Sequence, residues 1–558
     1  MNLGAMNRAP TDIAQCLLEA MTTSLKPTGR TLEEFQPLKP AEQKLLEACR
    51  EGTVAHISDE RPKDKTEDNT VRAAFLRFLA LGGDEEAPVH EHGVQLIGAW
   101  IEGELDMKAA KVPFGLTIRV CHFDCPPVFR GARIQGTLNL GDCQFPGFDG
   151  DRLACNGDLI LDSCTSSGEV LLDRVKIDGE LSCERTQFLA RFYALSLKSA
   201  TIKGSVTLDH GYIPTGKVKL VGVRISKNLS CYYMRFGHSG FALSLEGSVV
   251  EGVFFFAKLH GSVGVFLAVS HVGHLADNEE SWGRSYLDGF TYNSFVLSPT
   301  AAARRLAWLD KQSEAHSGLS GDGVEFKPQP WRQLAKVLRE MGHVEDARQV
   351  SIAFEHRLRK ANLIGQAPKE WGEFRSWLYR KVSRGGHWLF WVLTGYGYRP
   401  LRLLGWMFGM WLLCAGVYWY AAVAQSVFAP SDPLIFQNEA YKYCRPDYVA
   451  SQPASSVPAS MQGAGNWYLC SELREEYSGF SPLAYSLDVI LPLVDLQQES
   501  AWAPLIPTPK DAWYRELFAV FDWKHVTRLV LWFEILFGWV SSLLLVAVVS
   551  GLTKRREE

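Results

Sequence analysis

Residues 172–208 read LDRVKIDGELSCERTQFLARFYALSLKSATIKGSVTL, and they state one pattern twice. Leu172 is followed by Ile177, Gly179, Leu181 and Cys183; Leu197 is followed at the same intervals by Ile202, Gly204, Val206 and Leu208. These residues alternate with Asp, Lys, Glu, Ser and Thr, so they share one face of an extended strand and leave the other face polar.

Outward from this stretch the pattern recurs from residue 93 to about 265, as Ile101-Gly103-Leu105-Met107, Ile134-Gly136-Leu138-Leu140, Cys155-Gly157-Leu159-Leu161, Ile225-Lys227-Leu229-Cys231 and Val250-Gly252-Phe254-Phe256. Leu96, Phe129, Leu220 and Leu245 repeat the preceding apolar position. After an initial gap of 33 residues the copies are 21 to 25 apart, a length that fits one coil of a solenoid whose neighbours stack about 4.8 Å away. The inward glycine fits a corner where a Cβ would collide, and Lys227 predicts a bulge or an opened corner. A stack with bare ends invites aggregation, so residues 70–82 (TVRAAFLRFLALG) are expected to cap the first coil as a helix.

Pro330 to Lys360 reads as a helical hairpin broken at Gly342, with Trp331, Leu334, Leu338 and Met341 on one face and Ala347, Val350 and Phe354 on the next. It is expected to join the solenoid to the membrane. Leu403–Ala424 has no charged residue and Leu529–Leu552 has one, Glu534, near its start; each is long enough to cross a bilayer as a helix. Arg380, Lys381, Arg384, Arg399 and Arg402 precede the first span, and Lys554, Arg555 and Arg556 come after the second, which predicts both termini in the cytoplasm. Between the spans, residues 425–528 carry 7 Lys/Arg against 12 Asp/Glu, 7 − 12 = −5, as befits a translocated loop. Trp388, Phe390, Trp391, Tyr396 and Tyr398 have the composition of an interfacial helix.

A net charge of −4 and a pI near 6.4 give no basic field for nucleic acid. The first residues lack a secretory signal, so the solenoid should be cytoplasmic and its thiols reduced. Cys444 and Cys470 are the cysteines of the external loop and could close a disulfide there. Tyr477–Val494 is too short to span yet apolar, which fits a re-entrant segment or a cap on the outer surface. Asp488, Asp495, Glu499 and Glu534 are the candidate acids of an ion path through it. Other motifs fail on context. Gly211–Val218 is one residue short of a phosphate-binding loop, Thr394–Gly397 precedes a span instead of coming after a pore helix, and His90, His92, Cys121 and Cys125 lack a metal-ligand spacing. No catalytic, cofactor or metal residue is predicted.

The coils, the hairpin QPWRQLAKVLREMGHVEDARQV (329–350), TGYGYRP (394–400) and YSLDVILPLVDL (485–496) together resemble a poorly characterised group of bacterial membrane proteins over roughly residues 70–555. Members are labelled pentapeptide-repeat-like membrane proteins or membrane-associated oxidoreductases. The coils depart from a strict five-residue period, and the resemblance carries over no catalytic residue.

The expected architecture is a mainly β solenoid, right-handed β-helix-like, with helical additions. Residues 1–88 form the N-terminal helical region and cap, 89–297 the solenoid, 298–385 a helical connector and 386–402 an interfacial segment. Transmembrane helices at 403–424 and 529–552 flank the extracytoplasmic loop 425–528 with its possible re-entrant part 477–499, and 553–558 is a tail. The expected function is an integral sensor or scaffold of the bacterial inner membrane, a homo-oligomer with lipid and a protein on the solenoid face as partners, with a two-span ion channel as an extension of that reading. The rival readings are an oxidoreductase, which requires a flavin, haem or metal, and a purely structural anchored solenoid.

Overall fold

The computed structural model describes residues 29–237, 240–260, 263–312, 316, 326–368, 370–453, 457–458, 461–473, 477–505 and 522–550. The first 28 residues and the basic tail Lys554–Arg556 therefore lie outside the described residues. The chain divides into two compact units, Met1–Leu363 and Ile364–Glu558.

In the first unit the repeat winds into a parallel β-solenoid of about nine turns. Val94, Leu116, Leu138, Leu159, Leu181, Val206, Leu229, Phe254, Leu275 and Phe295 stand opposite one another in successive coils. All are buried, so one file of side chains runs through the stack. A single coil has four short strands, as in Lys176–Ile177, Leu181–Ser182, Gln187–Phe188 and Tyr193–Ser196. The turns between strands hold non-glycine residues such as Arg174, Arg185 and Ser199 at positive φ. Carboxylates of the preceding coil offset that cost: Asp162 accepts from Glu184 N and Ser182 Oγ, and Asp173 from Lys198 N and Ser196 Oγ.

The glycine of the pattern is required by approach between coils. A Cβ on Gly204 would stand 2.3 Å from the carbonyl oxygen of Gly179, and one on Gly179 would stand 2.8 Å from the carbonyl carbon of Gly157. Lys227 makes no bulge: its side chain is exposed, and the strands on either side of it, Arg224–Ile225 and Leu229–Ser230, pair in register with their neighbours. The register shift in that stack falls one coil later, between Val250 and Val253.

Two expectations change at the start of the stack. The gap of 33 residues contains a coil, because Val112 pairs with Ile134 and Leu116 with Leu138, with Phe114 standing at the glycine position. Ile101-Gly103-Leu105-Met107 is out of register with the other copies. Ile101 pairs with Phe123, and Asp106 bridges Val128, on different sides of the coil. Strands succeed one another every five to six residues along a coil, so the same local spelling fits more than one side.

Both ends are covered. At the first, helices α1 (Pro40–Glu51) and α2 (Ala73–Ala80) flank strand Thr70–Arg72, which pairs with Trp100–Glu102, so the expected cap begins as a strand. Buried Glu42 of α1 accepts hydrogen bonds from Arg72 N, Nε and an Nη. At the far end, α3 (Ala302–Leu309), α4 (Gln329–Glu340) and α5 (Val344–Lys360) close the last coil. Gln329 and Gln333 of α4 donate to the carbonyls of Phe290 and Tyr292 along the last strand. The hairpin is thus an end cap as well as a connection, since an uncovered strand Thr291–Phe295 would leave its backbone unpaired. Fully buried Arg305 of α3 meets Asp277 with two 2.8 Å bonds and lies 3.7 Å over the Phe295 ring.

The second unit holds α6 (Glu373–Thr394), α7 (Leu401–Gln425), α8 (Pro482–Ile490) and α9 (Trp523–Val549). α7 and α9 are long and apolar enough to cross a membrane. α6 runs through residues 385 and 386 unbroken, so the expected border between connector and interfacial segment falls inside one helix.

Candidate functional site

Two places in the fold gather chemistry. The first is the outward side of the solenoid strands beyond the corner at residues 189–192. Leu189, Phe192 and Tyr193 are exposed there, Phe192 by 71%, and Phe241 is exposed two coils on. Phe241 meets Phe266 at 6.2 Å, and Phe266 stacks on Tyr286 at 4.6 Å. Cations interleave: Lys219 Nζ lies 4.0 Å over the Tyr193 ring, and Arg284 lies 5.8 Å over that of Phe241. Lys219 also holds the exposed Tyr193 hydroxyl below its ordinary pKa, through a hydrogen bond and its charge. Parallel stacking sets such outward positions side by side: Tyr193 stands opposite Lys217, Phe241 opposite Gly264, and Phe266 between Ser244 and Tyr286.

The second place is the packing of α7, α8 and α9. Pro482 starts α8, and Ser481 caps it by accepting from Ala484 N. Trp411 Nε1 of α7 donates to the Leu483 carbonyl at 2.8 Å. A Cβ on Gly538 of α9 would stand 2.4 Å from the Ile490 carbonyl oxygen, so that glycine lets the C-terminal end of α8 close on α9. Glu534 is fully buried between the three helices: Tyr418 Oη donates to its Oε2 at 2.6 Å, and Ser486 Oγ to its Oε1 at 2.5 Å. Helix α9 begins at Trp523, where Asp522 accepts from its N–H, so Glu534 stands near the middle of the helix and not near its start.

The other candidate acids lie in and after the end of α8. The Asp488 carboxylate accepts from the backbone N–H of Leu496, Gln498 and Glu499 and is nearly buried. Asp495 accepts from Gln497 N and is exposed, as is Glu499. Partial burial raises the pKa of Glu499, and the charges of Asp488 and Asp495 add to the rise. The structure therefore brings Asp488, Asp495 and Glu499 together and sets Glu534 apart on α9.

The other described residues between α7 and α9 fold together. Phe428–Pro430 pairs antiparallel with Trp502–Pro504, and Cys444 and Cys470 are joined as a disulfide with Cα atoms 5.5 Å apart. Glu472 lies beside those sulfurs, but the bond leaves no thiolate for an ion there. Tyr418, Phe428, Trp467, Phe480, Tyr485 and Trp502 form the core beneath. The solenoid surface and the hydroxyl partners of Glu534 escape a sequence reading: Tyr193, Phe241, Phe266 and Tyr286 alternate irregularly, and Tyr418 and Ser486 lie 116 and 48 residues from the acid. No family model, curated protein or solved structure was found to match this chain.

Proposed function

We propose that the protein is a membrane-anchored interaction scaffold or sensor, whose solenoid binds a protein partner in the cytoplasm while α7 and α9 cross a bacterial inner membrane. The observation that carries the reading is the aromatic and basic surface from Tyr193 to Tyr286, since exposed Phe192, Tyr193 and Phe241 and half-buried Phe266 and Tyr286, set among cations, have the composition of a binding surface. The membrane part is supported by the apolar side chains that α7 and α9 leave outside their packing, among them Leu404, Phe408, Leu413, Leu536, Leu543 and Val546. Basic residues before α7 favour a cytoplasmic start.

A photo-reactive residue placed at Phe192 or Phe241 in living cells tests the scaffold. The expected result is one discrete crosslinked protein, lost when Tyr193 and Phe266 become alanine. The reading is overturned if neither position yields an adduct.

A second reading, an oligomeric cation channel, is favoured by the grouping of Asp488, Asp495 and Glu499. Two spans cannot enclose a pore, so conduction requires several copies. Cation flux into liposomes abolished by Asp495→Asn with Glu499→Gln supports it, and unchanged flux removes those acids from the path.

A further inference from the structure

Helix α6 is the least covered long element of the second unit. Phe374, Leu378, Val382, Leu389 and Val392 succeed one another at steps of four, four, seven and three, which places them on one side of a helix. Ser376, Arg380, Ser383, Arg384 and His387 fall on the opposite side by the same rule. Phe374, Leu378, Val382 and Leu389 are exposed, Val382 by 64%. On the polar side the backbone at Gly365 lies against Ser383 and Arg380, and at the C-terminal end α7 meets the helix at Val392. Trp377, Trp388 and Lys381 flank the apolar stripe on one edge, and Tyr379 and Arg375 on the other.

Charge and continuity decide what covers the stripe. α6 carries Arg375, Arg380, Lys381 and Arg384 against the single carboxylate of Glu373. It ends at Gly395, Tyr396 and Gly397, all at positive φ, with Thr394 Oγ1 accepting from Gly397 N. α7 begins at Leu401, so a turn of six residues joins this stripe to an apolar helix of 25 residues. Trp406 Nε1 of α7 donates to the Val392 carbonyl and holds that turn at 3.1 Å.

We propose that α6 lies in the plane of the membrane and binds anionic phospholipid. Phe374, Leu378, Val382 and Leu389 enter the boundary of the acyl chains. Arg375 and Lys381, at the edges of the stripe, extend to lipid phosphates, and Arg380 and Arg384 add attraction from the aqueous side. The turn at 395–400 then converts an in-plane helix into a crossing one. The inference rests on the reading of α7 and α9 as spans.

The test uses the full chain in lipid nanodiscs, with a spin label on a non-natural residue at Val382, at exposed Glu373 on the polar side or at Leu543 of α9. Collision with oxygen reports lipid, and collision with a nickel chelate reports water. Expected are a lipid signal at Val382 and a water signal at Glu373 in discs containing phosphatidylglycerol, with Val382 moving toward water in phosphatidylcholine alone. Each cation near an anionic surface is worth about fivefold, so Arg375→Gln with Lys381→Gln lowers the docked-to-undocked ratio about twenty-five-fold in the anionic discs. Water at Val382 in both lipids, with lipid at Leu543, overturns the proposal and leaves the spans standing. An equal lipid signal in both discs overturns the anionic preference, and shielding of Val382 from both probes shows a protein cover and overturns it too. Water at Leu543 sinks the membrane reading itself.

Discussion

Burial governs the thiols of the stack. Cys155 and Cys164 are almost inaccessible, and desolvation pushes both up to about 12. At pH 8 they stay protonated, so Ellman's reagent should modify them only after unfolding in guanidinium; fast reaction in the native protein would contradict the packing. The place of Cys155 in the repeat already marks it as a small buried hydrophobe in the sequence. Glu534 is harder to read, because its depth depends on where α9 starts, and Lys524, His525 and Arg528 hide the first turn of that helix from an apolar count. Replacing it by leucine strands the hydroxyl of Tyr418, while that of Ser486 keeps the Trp411 carbonyl as acceptor. Glu534→Leu should cost about 1–3 kcal/mol in a detergent-solubilised unfolding assay, and Glu534→Gln less, since the amide still accepts.

At the level of elements, the glycine column sets how closely coils approach. Gly204→Ala forces its Cβ into the Gly179 carbonyl and should destabilise the solenoid by about 1–3 kcal/mol in urea, whereas Lys227→Ala should be nearly neutral. The N-terminal cap should respond to acid. Hydrogen bonds from Lys39 and Lys65 hold the Glu102 carboxylate below its ordinary 4.5, so their contribution is complete above that value and disappears as the pH falls through the lower folded one. Amide exchange, corrected for its intrinsic rate, should accelerate at Thr70–Arg72 on acidification while Leu159–Ile160 stays protected; Glu102→Gln should abolish the difference. The coil units from Ile134 to Cys231 and both helices of the hairpin are legible because their periods are undisturbed. The coil at Val112 is not, since Phe114 replaces the marker glycine, and the docking of Gln329 and Gln333 onto the last strand is a tertiary fact with no local spelling.

For the whole molecule, each unit has its own core, one running from Leu32 to Ala361 and one from Cys414 to Trp502. A fragment of residues 29–363 should therefore remain soluble without detergent and show cooperative loss of β circular dichroism on heating; aggregation of that fragment would show that its core is incomplete alone. The two apolar helices are visible from hydropathy, but the folded segment between them, with its strand pair and aromatic core, has no periodic signal.

Because helices close both ends of the stack, its interior coils are interchangeable links between fixed stoppers. Duplicating the 22 residues from Leu116 to Thr137 would lengthen the rod by one strand spacing, about 4.8 Å, with neither stopper altered. Reach is thus a property that this polypeptide can change in whole steps, like notches on a gauge.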